Sequence, residues 1–456
     1  MSISEQIADF TLQESWGSVP ESVREHAKMM ILDSMGVAIA AYYQEHAKAV
    51  RQVVLDLASK PESTLWGTQK KASMVDAVLA NAALIHGLDY DDTHVGSVVH
   101  PSASVVSTAF TVGETTGATG QEILDAIICG YEIIIRLALA ARGGFHDRGF
   151  HCTGIVAPFA SACVAAKLLK MPKAVLVNAL GICGSQAAAL QEFLHDGSWV
   201  KKIHAGWAAH AGIYALLMAK NGLTGPREVF EGKYGLYATH IGSVEGIGDA
   251  FDDLGQRWRT SEISVKLYPV CHMIHSFSDC IFELQSKYGF TPKDITKVEC
   301  RIEKRCYHIV CIPEQAKKRP TSDYGMRFSL PYIVAMSLLK GKISPLEIDE
   351  KYLSEPEVLE LIDKVECLED ETVKNVGHFP GWVEITLHDG SKYRWQQEYE
   401  KGAAEYPIAS ADIITKYKNN ASAYLQSEQV GILLQQIQQL EQLPGVSSLL
   451  NLMVME

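Results

Sequence analysis

The sequence lacks closely spaced cysteine pairs, although it contains ten cysteines in 456 residues. No two of them have the C-x-x-C spacing that is typical of zinc ribbons and thioredoxin-like redox sites, so the sequence signals neither class. Several cysteines, such as Cys129, lie in apolar stretches, where cysteine behaves as a small hydrophobic residue. We therefore predict free thiols and a reducing, cytoplasmic location.

Long hydrophobic runs and an excess of positive charge are also missing. Asp33 interrupts the longest apolar candidate, residues 29–43, which therefore predicts a buried helix rather than a membrane span. The opening residues, MSISEQIADF, do not resemble a secretory signal. There are 41 Lys and Arg against 54 Asp and Glu, a formal net charge of −13. This acidic balance argues against a nucleic-acid partner, which would require a basic face.

Motifs that bind cofactors or activate nucleophiles are absent as well. The sequence has no G-x-G-x-x-G, no G-x-x-x-x-G-K-[ST], no H-E-x-x-H, no EF-hand loop and no G-x-S-x-G. If the chain is an enzyme, we expect its side chains to act without a cofactor.

What the first half does contain is a series of apolar, Ala-rich segments with helical spacing. Three that carry little charge cover residues 154–169, 172–194 and 205–220. Ala-rich helices with little charge can pack closely against other helices, so this pattern predicts a helix bundle rather than helices on a solvated surface.

The pattern changes near residue 260. Residues 295–302 alternate like a strand, and a turn at Asp389-Gly390 predicts a hairpin within residues 383–398. The predicted fold class is therefore mostly α. A large all-helical bundle domain would comprise residues 1–264 with 399–456, and a smaller α+β lid domain would comprise residues 265–398.

Three histidines and three carboxylates lie within 15 residues at the end of a predicted helix. They are His86, Asp89, Asp91, Asp92, His94 and His100. Carboxylates beside imidazoles raise the His pKa and fix its tautomer, as general acid–base catalysis requires. Two alternatives are a set of helix-capping residues and a divalent metal site, although the spacing matches no common metal template.

Three further polar clusters adjoin predicted helices. The first contains His151 and Thr153, the second Lys201 and Lys202, and the third Lys266, His272 and His275. A helix N-terminus and lysines favour anions, and the third cluster lies at the predicted domain boundary, where ligand sites are common. The alternatives are an ordinary N-cap, a solvated lysine pair and a linker with incidental polar residues.

Five short motifs in order resemble the MmgE/PrpD family: HGLDYDDT…HPSA, GFHCTG, KKIHAG, KLYPVCHMIH and FSLPYIVA. This family includes 2-methylcitrate dehydratases, cis-aconitate decarboxylases and iminodisuccinate epimerases. The resemblance implies a large helical domain, a smaller lid and an active site in the cleft between them. It also implies a homodimer, no cofactor, no metal and a small carboxylate as substrate.

The resemblance assigns roles to individual residues. The implied catalytic residues are Asp89, His100, His151, Lys201, Lys266 and His275. The implied substrate-binding residues are Thr93, His272 and Tyr332. One position departs from the family pattern, because the functional His of decarboxylases aligns with either Cys271 or His272.

The resemblance and the residues together predict a mechanism. Lys201 and Lys266 would clamp carboxylates, and His100, tuned by Asp89, would transfer the proton. This predicts a positively charged pocket between the two domains of an acidic protein. We expect a cofactor-independent lyase, a dehydratase or a decarboxylase; the alternatives are a dicarboxylate epimerase and a non-enzymatic helical protein.

Overall fold

The computed structural model describes residues 1–13, 17, 19–373, 377–403 and 405–455. Helices dominate its first half: α1 (Ile3–Thr11), α2 (Glu21–Ala41), α3 (Glu45–Asp56), α4 (Met74–His86), α5 (Ser102–Thr116), α6 (Gly120–Ala140), α7 (Gly144–Asp147), α8 (Cys152–Leu168), α9 (Lys173–Cys183), α10 (Phe193–Asp196), α11 (Lys201–Lys220) and α12 (Leu236–His240). Two short antiparallel pairs join β1 (Ser63–Thr64) to β2 (Lys71–Ala72) and β3 (Thr93–His94) to β4 (Ile263–Ser264). No helix within the described ranges is long and apolar enough to cross a bilayer.

Helix α11 packs against α8, α4 and α9, and glycines allow the close approach. A Cβ atom at Gly212 would lie 2.3 Å from the carbonyl oxygen of Pro158, and one at Gly206 would lie 2.5 Å from that of Leu79. Only a residue without a side chain therefore fits at these two contacts. The packing holds the N-terminus of α11, where Lys201 lies, beside the end of α4.

The smaller part of the molecule is an α+β unit. Its elements are α13 (His275–Tyr288), β5 (Ile295–Ile302), α14 (Lys304–Val310), α15 (Glu314–Lys318), α16 (Asp323–Arg327), α17 (Leu330–Lys340), α18 (Pro356–Asp363), β6 (Val365–Glu369), β7 (Gly381–Leu387) and β8 (Lys392–Gln397). The four strands form one sheet in the order β6-β5-β7-β8, in which only the β5–β6 pair is parallel. Helix α13 packs against β7, β8 and α17.

The C-terminal helices return to the helical bundle. They are α19 (Ser410–Ala421), α20 (Ser427–Gln438) and α21 (Ser447–Asn451). Helix α19 packs on α2, where the backbone of Tyr417 comes within 3.2 Å of a Cβ atom built on Gly36. A buried ion pair of 2.7 Å between Lys416 and Asp33 joins the same two helices.

Two large hydrophobic cores correspond to the helical and the mixed parts. The larger core draws its buried residues from 3–265 and 413–453, and the smaller from 270–385 with Val95 and Phe193. The mostly α fold class with a smaller α+β unit is thus confirmed. The predicted strand 295–302 and the hairpin around Asp389-Gly390 are confirmed as well. The domain boundaries at 264/265 and 398/399 stay a prediction.

One predicted helix is too long. Residues 172–194 were expected to be helical throughout, but α9 ends at Cys183. The chain beyond it turns to meet the loop before α8: His151 donates its backbone N–H to the carbonyl oxygen of Ala189 at 3.0 Å, and Gln191 donates to Gly149 at 2.9 Å. These long-range backbone bonds replace the helical ones, and the periodic pattern of the sequence does not show them.

Candidate active site

Helix α4 ends at His86, and the turn that follows brings three carboxylates inside the molecule. His86 and Asp91 form a buried pair, with 2.7 Å between Nδ1 and Oδ2. Asp89 adopts a left-handed backbone conformation with φ of 51°. Burial favours the neutral acid of Asp91, but the interaction with His86 outweighs it and lowers the Asp91 pKa.

Two lysines from distant parts of the sequence form ion pairs with Asp89. The Nζ atom of Lys201 lies 2.6 Å from Oδ1 of Asp89, and that of Lys266 lies 3.3 Å from the same oxygen. Lys266 also donates to the backbone carbonyl oxygen of Asp89 at 3.0 Å. Burial alone would raise the pKa of Asp89, but the two ammonium groups hold it well below its usual range. All three residues are buried.

His100 is held by the backbone and by two threonines. Its Nδ1 lies 2.8 Å from the carbonyl oxygen of Asp92 and 3.2 Å from Oγ1 of Thr93. Its backbone N–H donates to Oγ1 of Thr153 at 3.0 Å. Because a carbonyl oxygen only accepts, Nδ1 carries the proton and Nε2 keeps a lone pair. Burial and the nearby Lys266 lower the pKa of His100 well below its usual value, which keeps the ring neutral.

The expected tuning of His100 by Asp89 needs correction. The hydrogen-bond partner at Nδ1 is the main-chain oxygen of Asp92 together with Thr93, while the carboxylate of Asp89 is engaged by lysines. Asp89 and His100 still influence one another electrostatically. Asp89 therefore positions Lys201 and Lys266, and it does not hold the imidazole of His100.

The ring of His151 lies among three other histidine rings and stacks on one of them, that of His86. The ring centroid of His151 lies 5.6 Å from that of His86, 5.8 Å from that of His100 and 5.3 Å from that of His204. The Nδ1 atoms of His151 and His204 are 3.2 Å apart, so one donates and the other accepts. Burial lowers the pKa of both rings, to about 3 for His204. Nε2 of His151 is buried without a partner among the described residues.

The segment at the start of the smaller core adds His272 and His275, whose ring centroids are 4.5 Å apart. Nε2 of His275 lies 3.3 Å from the carbonyl oxygen of Val270, and burial lowers its pKa to about 3. Both ring nitrogens of His272 are buried with no hydrogen-bond partner in the described part of the chain. His272 interacts electrostatically with Lys266 and His100, and Cys271 with Asp89 and both lysines. Both residues at the uncertain family position thus face the same cluster.

Family comparison matches these features to a known group. The MmgE/PrpD N-terminal domain matches residues 5–245, and the MmgE/PrpD C-terminal domain matches residues 268–442. The chain belongs to the MmgE/PrpD family. The family resemblance predicted from the five motifs is therefore confirmed.

Several curated relatives of this MmgE/PrpD chain span nearly its whole length. It is 26% identical to a cis-aconitate decarboxylase of Aspergillus terreus, over 99% of this chain and 96% of that protein. It is 25% identical to the cis-aconitate decarboxylase of Homo sapiens, over 99% and 94%. It is 23% identical to a 2-methylcitrate dehydratase of Escherichia coli K12, over 88% and 87%.

Tyr332 is the one predicted site residue of this MmgE/PrpD chain that lies apart from the cluster. It is buried in the smaller core on α17, and its hydroxyl has no hydrogen-bond partner within the described ranges. Burial raises its pKa, and the acidic neighbours that add to this are Glu355 and Asp349, with Tyr352 beside them. A substrate-binding role for Tyr332 stays a prediction.

Four residues of the cluster were not among the predicted site residues: His86, Asp91, His204 and Arg327. His86 and Asp91 belong to the polar cluster that the sequence predicts, although the resemblance assigns them no role, and His204 could have been found from its place one turn after Lys201. Arg327 gave no signal, because its role depends on the tertiary structure. Its Nη1 donates to the carbonyl oxygens of Leu88 and Pro269, at 2.8 and 2.5 Å. It thereby ties the end of α4 to the segment before α13.

The positively charged pocket between the two domains stays a prediction. Lys201 and Lys266 share the carboxylate of Asp89, and Asp91 is paired with His86. The histidines with lowered pKa values add no charge at neutral pH. Among the described residues, no group of three His, Cys, Asp or Glu side chains has metal-binding geometry. Lys201 and Lys266 are held at fixed positions by their contacts with Asp89.

Proposed function

We propose that this chain is a cofactor-independent lyase that acts on a small di- or tricarboxylate by proton transfer at a carbon next to a carboxylate. The observation that carries the proposal is the convergence of Lys201 and Lys266 on Asp89, beside the neutral imidazole of His100. Cations and a neutral base are the two components that such a reaction needs.

The lysines supply the electrostatic part. A carbon next to a carboxylate gains negative charge when it loses a proton or CO₂, and this charge spreads onto the carboxylate oxygens. Ammonium groups fixed in a water-excluded site stabilise that charge without having to reorganise. Oδ2 of Asp89 has no partner within the described ranges, so the carboxylate holds both lysines through one oxygen. Substrate oxygens would then take up the remaining donor positions of the lysines.

The histidines supply the proton-transfer part. Nε2 of His100 has a lone pair, because Nδ1 donates to the backbone. Nε2 of His151 and both nitrogens of His272 lack partners in the described part of the chain, so these rings can bind substrate or exchange protons. Three imidazoles around one position provide both a base and an acid for the successive steps.

Decarboxylation of a cis-aconitate-like acid is the first candidate reaction, and dehydration of a citrate-like acid is the second. The decarboxylases among the relatives span 99% of this chain. The functional His of decarboxylases aligns with either Cys271 or His272, and the ring of His272, which has no hydrogen-bond partner among the described residues, can take that role. The neutral base at His100 suits dehydration equally well. The 2-methylcitrate dehydratase of Escherichia coli K12 matches 88% of this chain.

The test is a substrate screen followed by proton NMR in D₂O. Citrate, 2-methylcitrate, cis-aconitate and iminodisuccinate are each incubated with the enzyme. Release of CO₂ identifies a decarboxylase, loss of water a dehydratase, and deuterium exchange without net loss an epimerase. The Lys201→Met variant is the control for contaminating activities. If none of the four acids is consumed, the proposed lyase function is wrong.

Assembly and location are further parts of the proposal. We propose a cytoplasmic homodimer, because the family resemblance implies a dimer and the free cysteines suit a reducing compartment. Light scattering coupled to size exclusion would measure the mass in solution, and a monomer at micromolar concentration would contradict the dimer.

A further inference from the structure

A cavity of 540 Å³ opens between two segments that are distant in the sequence and that both border the smaller core. One wall is residues 193–197, in and after α10, and the other is formed by residues between 313 and 328. This volume lies within the range of about 300–1,000 Å³ that is common for ligand pockets. The buried histidines are not part of its lining.

Aromatic side chains of the cavity lining contact residues of the catalytic cluster. Phe193, Tyr324 and Phe328 line the cavity, with ring centroids 5.2 to 6.0 Å apart. Phe193 also contacts the ring of His204 at 5.9 Å, and the Nζ atom of Lys201 lies 4.7 Å from the ring centre of Phe328. A ligand in the cavity is therefore one ring away from Lys201.

The cavity wall also contains a buried lysine without an acidic partner. Lys317 lines the cavity and is 4% exposed, and it forms no ion pair with any residue that the structure describes. Burial lowers its pKa to about 8, and the groups that interact with it electrostatically are the thiols of Cys271 and Cys311. Cys271 in turn interacts with Lys201 and Lys266. Lys317 lines the same cavity as Phe328, the ring that contacts Lys201.

An unpaired buried cation is costly, and an anion that enters the cavity would offset that cost. Lys201 and Lys266 are already paired with Asp89, whereas Lys317 has no acidic partner among the described residues. Arg319 also lines the cavity but is paired with Asp363 at 2.6 Å, so Lys317 is the lining cation that remains available to an arriving polyanion.

We propose that this cavity is the route by which a polycarboxylate reaches the buried histidines, and that Lys317 binds one of its carboxylates. This inference rests on the proposed function and adds to it a third lysine, with a role in binding rather than in chemistry. The rings of Phe193 and Phe328 would have to turn aside for the substrate to pass.

The first test compares Lys317→Met with Lys318→Met. The control lysine is the next residue on α15, and its partner is Glu314 at 2.9 Å on the surface. We expect Lys317→Met to raise KM about 10- to 100-fold, the loss typical of one charge-assisted hydrogen bond, with kcat within about threefold of wild type. Lys318→Met should change neither constant by more than about twofold.

The second test obstructs the cavity without touching the cluster. Ala316 is exposed and lines the cavity, so Ala316→Trp would fill its mouth. Glu314→Trp places the same ring two residues away, outside the lining, as a control. We expect the association rate of tricarballylate, measured by stopped flow, to fall at least about tenfold in the first variant and to stay unchanged in the second.

The results separate the two proposals. If wild type does not bind tricarballylate in a calorimetric titration, the proposed carboxylate function is wrong and the route falls with it. If wild type binds but Lys317→Met binds equally well, or Ala316→Trp associates at the wild-type rate, the inference about the cavity is wrong while the proposed function stands.

Discussion

Lys201 and Asp89 form a 2.6 Å ion pair in which both side chains are at least 95% buried. The pair joins the N-terminus of α11 to the turn after α4. Lys266, which lies 177 residues after Asp89 in the sequence, contacts Asp89 as well. Charges in such a place are stable only while they compensate one another. The site is thus also a structural joint between three separate parts of the chain.

The first prediction concerns the carboxylate of this joint. Asp89→Asn keeps the shape and the tolerance for a left-handed backbone but leaves two buried ammonium groups uncompensated. We expect the free energy of unfolding to fall by about 3–5 kcal/mol, measured by urea denaturation. The double variant Asp89→Asn with Lys201→Met should lose less than the sum of the single losses, by at least about 1 kcal/mol. Strict additivity would contradict the coupling.

The second prediction concerns His100 as the proton-transfer residue. His100→Gln removes the imidazole lone pair and should lower kcat by about 10²- to 10⁴-fold, with the melting temperature nearly unchanged. The matched control is His240→Gln, because the Nδ1 of His240 also lies at hydrogen-bond distance, 3.0 Å, from a backbone carbonyl, outside the cluster. Steady-state kinetics on the identified substrate decide the point. A His100→Gln enzyme with near-wild-type turnover would remove His100 from the chemistry.

The third prediction concerns the pH dependence of stability. Asp92 caps α5 through the backbone N–H and hydroxyl of Ser102, and burial raises its pKa to about 8. The folded protein therefore binds a proton that the unfolded chain releases near pH 4, so stability is lost as pH rises towards 8. The slope from this group is at most about 1.4 kcal/mol per pH unit.

Asp92→Asn mimics the protonated acid at the same position, since its amide can both accept from Ser102 N–H and donate to Ser102 Oγ. We expect it to lessen the loss of stability between pH 6 and 8, measured by urea denaturation at both values. Parallel pH profiles for wild type and variant would show that Asp92 does not titrate in this range.

The fourth prediction concerns the buried arginine that links the two parts. Arg327→Met leaves the carbonyl oxygens of Leu88 and Pro269 without their donor and should lower the free energy of unfolding by about 2–4 kcal/mol. Arg305 makes an exposed link to Asp147 and is the matched control. Thermal or chemical denaturation of Arg305→Met should show a change of at most about 1 kcal/mol. Equal losses in the two variants would contradict a special role for Arg327.

Local signals in the sequence predicted most of the secondary structure. Residues 295–302 form a strand because β-favouring residues alternate there, and Asp389-Gly390 forms the hairpin turn because that dipeptide accepts its backbone geometry. The helix over 172–194 was predicted too long because backbone bonds to the loop before α8 compete with helical ones. That competition depends on residues far away in the sequence.

The sequence indicated which residues belong to the site better than it indicated which of them contact one another. Polar clusters beside apolar helices marked His100, Lys201 and Lys266 before any fold was known. Their partners were not predictable, because the contacts of Asp89 with the lysines span 112 and 177 residues and depend on how helices are rotated against one another. Tyr332 shows the same limit, since the direction of a helical side chain follows from packing.

The backbone of Asp89 restricts which residues this position accepts. Its φ of 51° lies in the region that Gly, Asn and Asp tolerate best, whereas the two lysines require a negative charge. Glycine and asparagine meet the first demand, and glutamate meets only the second. Aspartate alone satisfies both, so a saturation library at residue 89 should yield a single functional amino acid.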